Sequence, residues 1–310
     1  MFDTQRVPVK VYRWDDEGAP QVESAAGSIK TILKACLVTG YGEGNKRKDG
    51  LGWEMAFEKT QEACFRSTHP KATKWWIGVD DTKYSPGSSY DRYTDVCGIL
   101  EPTSATEGKA VQYVWMDSGR IRFTSSYYSG DRFGLKWVLI GHARAFALVL
   151  LSPSNFEGSS VLYFGEFPSL AVADEHQNLL GLGSFGSEKY FYFSSNSGFY
   201  CSAMRDYKGD APNKFYAGAN VVQNAASYPS PISGGFTASD LYLFEELNNG
   251  YAIRGLVPGL MRTNEAMPSN AVILQGTVYD NLDNSGDEWM YAKVFGNHSG
   301  LLINLTAWEL

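Results

Sequence analysis

The densest run of oxygen-bearing side chains is Asp280-Asn281-Leu282-Asp283-Asn284-Ser285-Gly286-Asp287-Glu288. A calcium loop needs oxygens at alternating positions, a glycine at its sharp turn and a late bidentate Glu. Counted from Asn281, residues Asp283, Ser285 and Gly286 fall in step, but the twelfth position is Ala292. The run supports two readings: a hairpin connection between Val278 and Met290, or a weak calcium site with Asp283 and Asp287 as its ligands. Gly181-Leu182-Gly183-Ser184-Phe185-Gly186 has the bare spacing of a dinucleotide fingerprint. The aromatic run Tyr190-Phe191-Tyr192-Phe193 comes soon after it and reads as a strand, so no helix N-terminus is available to a pyrophosphate. A glycine-rich turn is the expectation.

His69, His142, His176 and His298 share no HxH or HExxH spacing, so a metal site would have to be assembled by the fold. His142 lies in an apolar stretch and reads as a hydrogen-bonded structural histidine. Cys36, Cys64, Cys97 and Cys201 form no CxxC pair and read as scattered buried thiols without disulfides. There is no G-x-S-x-G elbow and no cysteine with a nucleophile signature. Paired carboxylates for glycoside cleavage are a matter of spatial distance, and the sequence does not choose a pair among 34 acids. The expectation is a chain that is not an enzyme and carries no cofactor. Exposed aromatics could serve as a sugar platform, with Tyr200 and Tyr216 as the candidate binding residues. Neighbouring strand residues point to opposite faces, so adjacent pairs such as Trp75-Trp76 or Phe199-Tyr200 give one ring to any surface.

The elements that must position these residues are mostly strands. The chain has 310 residues with 32 glycines, 8 Trp, 19 Tyr and 17 Phe, and its apolar runs are short and broken by turn formers. With 44% hydrophobic and 20% charged residues it can bury a substantial core. A net charge of −7 argues against a protein that grips nucleic-acid phosphates, which takes clustered Lys and Arg. The longest apolar stretch, Trp137 to Leu151, is interrupted by Gly141, His142 and Arg144 and falls short of the ~20 residues of a membrane helix. No membrane insertion is expected. The start Met1-Phe2-Asp3-Thr4-Gln5-Arg6 lacks the pattern of a secretory signal, which points to the cytoplasm.

The expected fold is mainly β, made of sandwich-like sheets with one short N-terminal α-helix. That helix spans about 28–39, where Ile29, Ile32, Leu33, Cys36 and Leu37 share a face, Ser24 or Ser28 is the N-cap and Gly40 the stop. Strands are expected at Pro8 to Trp14, Met55 to Glu58, Ala63 to Arg66, Trp75 to Val79, Val111 to Trp115, Trp137 to Ile140, Ala145 to Leu151 and Val161 to Phe167. Later ones are expected at Tyr190 to Phe193, Tyr251 to Arg254, Val272 to Val278, Met290 to Val294 and Leu301 to Trp308. Gly42 to Gly50, with Lys46-Arg47-Lys48, must be a surface loop, because those cations cannot be buried alone. Asn196 to Asp240 reads as a long surface excursion. A composition change at Ser152-Pro153-Ser154-Asn155 divides a β-rich region 1–151 from another at 152–310, unless the chain is one domain. The terminal strand Leu301 to Trp308 should be docked, and deleting Leu301 to Leu310 should leave the protein insoluble or unassembled.

Several segments carry a resemblance: Lys10-Val11-Tyr12-Arg13 with Gly18-Ala19-Pro20, Ala26-Gly27-Ser28, Ile32 to Gly42, and Gly52-Trp53. Phe164-Gly165-Glu166-Phe167-Pro168-Ser169, Arg254-Gly255-Leu256-Val257-Pro258-Gly259-Leu260 and Ile303-Asn304-Leu305-Thr306-Ala307-Trp308 extend it to the middle and the end. The chain resembles a family of tailed-bacteriophage virion structural proteins. The resemblance implies a non-enzymatic, homo-oligomeric part of the tail, baseplate or neck, assembled in the cytoplasm of the bacterial host. Its implied partners are other virion proteins and copies of itself, with no direct nucleic-acid binding. The alternative is a capsid-decorating or carbohydrate- or receptor-binding module that meets a host surface glycan.

The acidic run gives a direct test. Millimolar calcium should raise the melting temperature if Asp283 and Asp287 are ligands, because a ligand of the folded state alone stabilises it. An unchanged melting curve selects the hairpin.

Overall fold

The computed structural model describes residues 5–23, 25–82, 93–113, 120–122, 136–151, 159–171, 173–183, 199–211, 215–218, 238–247, 250–263, 275–282, 284–293 and 300–310. The chain opens with β1 (Arg6–Pro8) and β2 (Lys10–Arg13), followed by helix α1 (Ser28–Leu33). Then come β3 (Trp53–Ala56), β4 (Glu62–Ser67), β5 (Trp76–Asp80), β6 (Tyr93–Ile99), the small hairpin of β7 (Glu101–Pro102) and β8 (Gly108–Lys109), and β9 (Arg120–Arg122). Strands β3-β4-β5-β6-β9 form the first sheet.

The central sheet is a meander of β10 (Lys136–His142), β11 (Ala145–Leu151), β12 (Ser160–Glu166), β13 (Asn178–Gly183) and β14 (Tyr200–Ala203), with β2 added beside β10. The outer sheet contains β15 (Phe215–Gly218), β16 (Ala238–Leu247), β17 (Gly250–Thr263), β18 (Val278–Asp280), β19 (Glu288–Lys293) and β20 (Gly300–Asn304), ordered β15-β16-β17-β20-β19-β18. Last, β21 (Ala307–Glu309) pairs with β1. Every ladder among the described residues is antiparallel.

The central sheet is buried on both faces, which is why its strands read as continuous apolar runs rather than alternating ones. Phe146, Leu148, Leu150, Leu162 and Phe164 face a core shared with the helix (Ile29, Ile32, Leu33) and the first sheet (Phe65, Ile77, Val79). Ala147, Val149, Val161 and Tyr163 face a second core with Leu241, Leu243, Leu260, Met290 and Ile303 of the outer sheet. The regions 1–151 and 152–310 meet within this sheet, where β11 pairs with β12. The protein is thus mainly β, with a single short α-helix among the described residues. Among the described residues, no helix is long and apolar enough to cross a membrane.

The helix departs from the expected form. Its buried face is as expected, but Ser28 does not cap it, donating its hydroxyl back to the Glu23 carbonyl instead; Ser24 lies outside the described residues. The carboxylate of Asp81, beyond β5, accepts the Lys30 N–H at 3.0 Å and the Thr94 hydroxyl. Burial lifts Asp81 to about 6. From Lys34 to Thr39 the helix widens to a π-helix, closed by the Gly40 N–H on the Ala35 carbonyl at 2.8 Å. Sequence periodicity did not distinguish the two helical forms.

The expected terminal strand Leu301 to Trp308 is two strands. The Asn304 side-chain carbonyl accepts the N–H groups of Thr306 (2.8 Å) and Ala307 (3.1 Å), a local turn that competes with the ladder. The turn sends β21 to pair with β1, so the two chain ends hold each other. Trp308 is fully buried, donates its indole N–H to the Asn304 carbonyl at 2.8 Å, and stacks on Tyr163 and against His142. Gly259 lies under the ring at φ 68, where an added Cβ would sit 2.2 Å from the indole nitrogen.

Gly181–Gly183 finish β13 as strand, not turn, and residues 184–186 lie outside the described residues. The expected strand Tyr190 to Phe193 also lies outside them, as do 272–274 of Val272 to Val278; the rest of that stretch is a turn at Gln275–Gly276 that enters β18 only at Val278. From Val111 to Trp115 the described part is a bridge of Gln112 to Gly98, with no extended strand. Trp308→Ala should cost about 3–5 kcal/mol in urea unfolding, the range for removing a large buried ring. A loss under about 1 kcal/mol would show that the ring does not wedge the chain ends against β17.

Candidate functional site

Strand β17 makes an irregular ladder with β16. Asp240 pairs with Met261 and Tyr242 with Leu256, so Leu241 alone faces the four residues Val257 to Leu260. The excursion has a local cause: Pro258 has no N–H to give to a ladder, and Gly259 turns the chain with a positive φ. Beside this bulge lies a groove of about 220 Å³. Its walls are the bulge, the chain-end ribbon through Arg6 and Glu309, and the end of the β18–β19 hairpin through Asp287 and Trp289.

Asp287 is buried and committed. Arg6 donates to both of its carboxylate oxygens at 2.5 and 2.6 Å, and the Asn304 amide donates to it at 2.8 Å. Asp287 therefore ties the first strand to the hairpin. Asp283, its sequence-predicted companion, lies outside the described residues. The run between them is a hairpin connection, with β18 and β19 paired from Val278↔Met290 to Asp280↔Glu288 and the Gly286 N–H donated to the Asn281 side chain at 2.7 Å. Among the described residues no three His, Cys, Asp or Glu come together as a metal set.

Two groups of the groove that are shielded from water have no partner among the described residues. Asp240 is half-buried, burial raises its pKa, and no hydrogen bond or ion pair reaches it among the described residues. Trp289 is 6% exposed and its indole nitrogen has no hydrogen-bond partner. An unmet donor or acceptor out of water costs free energy unless something supplies its partner. The groove can thus take a cation on Asp240, while the Trp289 indole N–H is sealed in its wall, out of reach of a group in the groove. Sequence reasoning missed both. The alternation Asp240-Leu241-Tyr242-Leu243 does place Asp240 opposite the core face, but nothing in it shows that the carboxylate lacks a partner.

The other candidates lie elsewhere. Tyr200 is on β14 and Tyr216 on β15, edge strands of the central and outer sheets that run close together. His142 accepts the Arg144 N–H at 3.0 Å through Nδ1, while its Nε2 is buried without a partner. Burial pushes it down to about 4. All four cysteines are buried with free thiols. The class that the fold defines is an antiparallel β protein of three stacked sheets. No protein-family model matches the chain, and no curated protein matches its sequence.

A carboxyl whose folded pKa is raised favours folding below its unfolded pKa and loses that contribution as pH rises through the folded value. Asp240→Asn should therefore be at least as stable as the wild type at neutral pH, with the gain disappearing in acid below the carboxylate range. Chemical unfolding at the two pH values measures this. A clear loss at neutral pH would mean that the carboxylate holds the fold together.

Proposed function

We propose that the protein is a non-enzymatic structural component of a tailed-bacteriophage virion, a homo-oligomer of the tail, baseplate or neck assembled in the bacterial host. The observation that carries this reading is the place of the resembling segments in the fold. Lys10–Arg13 is the strand added to the central sheet. Gly165 lets β12 lie close against β11 at the Ala145 pair, where a Cβ would come within 2.4 Å of the Ala145 Cα. Glu166 beside it accepts the Arg144 guanidinium and the Thr73 N–H, each at 2.6 Å.

Arg254 is buried and bidentate on Asp174 at 2.9 and 3.1 Å, and donates to the carbonyls of Arg205 and His176. Asn304 and Trp308 make the terminal turn and its wedge. A likeness built from such positions is a likeness of framework, which suits a part whose work is to hold a shape and be joined to others. A second reading, a capsid-decorating or glycan-binding module, draws on Tyr200 and Tyr216, whose edge strands are neighbours. Glycan-array binding lost in Tyr200→Ala or Tyr216→Ala would favour it.

Mass spectrometry and electron microscopy of purified particles test the leading reading. The expected result is a fixed copy number at symmetry-related positions. Absence from the particles, with a monomer in solution, would refute it.

A further inference from the structure

The groove holds an unpaired anion, and the same chain presents an unpaired cation at the other end of β1–β2. Arg6, at the groove, is separated from Arg13 and the turn after it by roughly 25 Å of extended chain. Against that turn folds the loop Gly42 to Gly50, held by the Tyr41↔Lys48 bridge and by Lys48, whose ammonium donates to Asp16 at 2.7 Å and to the Val11 carbonyl at 2.8 Å. Arg47 is engaged with the Thr39 carbonyl and Asp49. Asp15 is paired with Arg13. Lys46 is exposed at the tip and makes no ion pair among the described residues.

We propose that the groove receives the Lys46 loop of a second copy of this chain, head to tail. The inference rests on the homo-oligomeric reading and names its contact. Charge complementarity selects the occupant: Lys46 brings an ammonium to Asp240, and its apolar stem runs along Leu256 and Pro258. Because loop and groove are different surfaces, the contact is heterologous and repeats from copy to copy, closing into a ring or extending as a stack. The loop is preformed, so little ordering cost is added on docking.

The test is a charge exchange followed by analytical ultracentrifugation of the full chain at low and high salt. Lys46→Glu and Asp240→Lys should each weaken self-association about tenfold or more, and the double variant should restore it. High salt should weaken the wild-type contact. Lys46→Glu sits on an exposed loop, so it decides the matter even if Asp240→Lys does not fold; Asp240→Asn is the milder companion. Oligomers indifferent to these changes would overturn the groove contact and leave the homo-oligomeric reading standing. A wild type that stays monomeric at every concentration would overturn both, while its presence in particles is decided separately by mass spectrometry.

Discussion

Burial of the central sheet on both faces is the constraint on which the rest of the structure depends. A strand in that position has no solvent side to which a polar residue can be sent, so a polar side chain there costs free energy wherever it is not paired. Residues Trp137 to Ile140 and Ala145 to Leu150 meet this by being apolar, with alternate members sent to the two cores. Where charge does enter, at the ends of the strands, it arrives with its partners. Burial by itself raises Glu166, and the Arg144 guanidinium and Thr73 N–H offset part of that cost. Burial would also raise Asp174, but the hydrogen bonds from Arg254 and Ser169 outweigh it and hold the carboxyl below the usual range. Removing one member of such a pair is costly because it strands the other in a dry site.

The chain ends complete the outer layer and create the groove as a by-product of packing. Trp308 needs a place beneath β17, and β17 provides it by leaving the ladder for Val257 to Leu260. Once the strand departs from β16, a recess opens beside Asp240, and the β1–β21 ribbon walls its other side with Arg6 and Glu309. The Arg6–Asp287 pair then links the first strand to a hairpin 281 residues away. The site is thus a consequence of how one tryptophan is accommodated.

The two unmet groups of that recess have no structural justification of their own. A half-buried carboxylate without a cation and an indole N–H without an acceptor are both unfavourable in the isolated chain. Groups retained at a cost to the isolated fold are the common signature of a surface that works with something else. Among the described residues Arg254 is the contrasting case, a buried guanidinium matched to Asp174.

The sequence by itself determined the β-rich class, the buried face of the helix and most strands of the central sheet, because these arise from local apolar patterns that read the same in any context. It left the acidic run open between the turn of a hairpin and a weak calcium site. Tertiary structure decided the rest. Asp81 became the helix cap because β5 delivers it there, and no local pattern encodes that. Asn304 broke one apparent strand into two because its side chain outcompetes the ladder, while the flanking Ile303, Leu305 and Ala307 keep an alternation that hides the turn. Asp287 looked like a cation ligand by its neighbours in sequence, yet its partners in space, Arg6 and Asn304, claim its oxygens. Asp240 and Trp289 drew no notice because being unpaired is a property of surroundings, and only the folded chain brings those surroundings together.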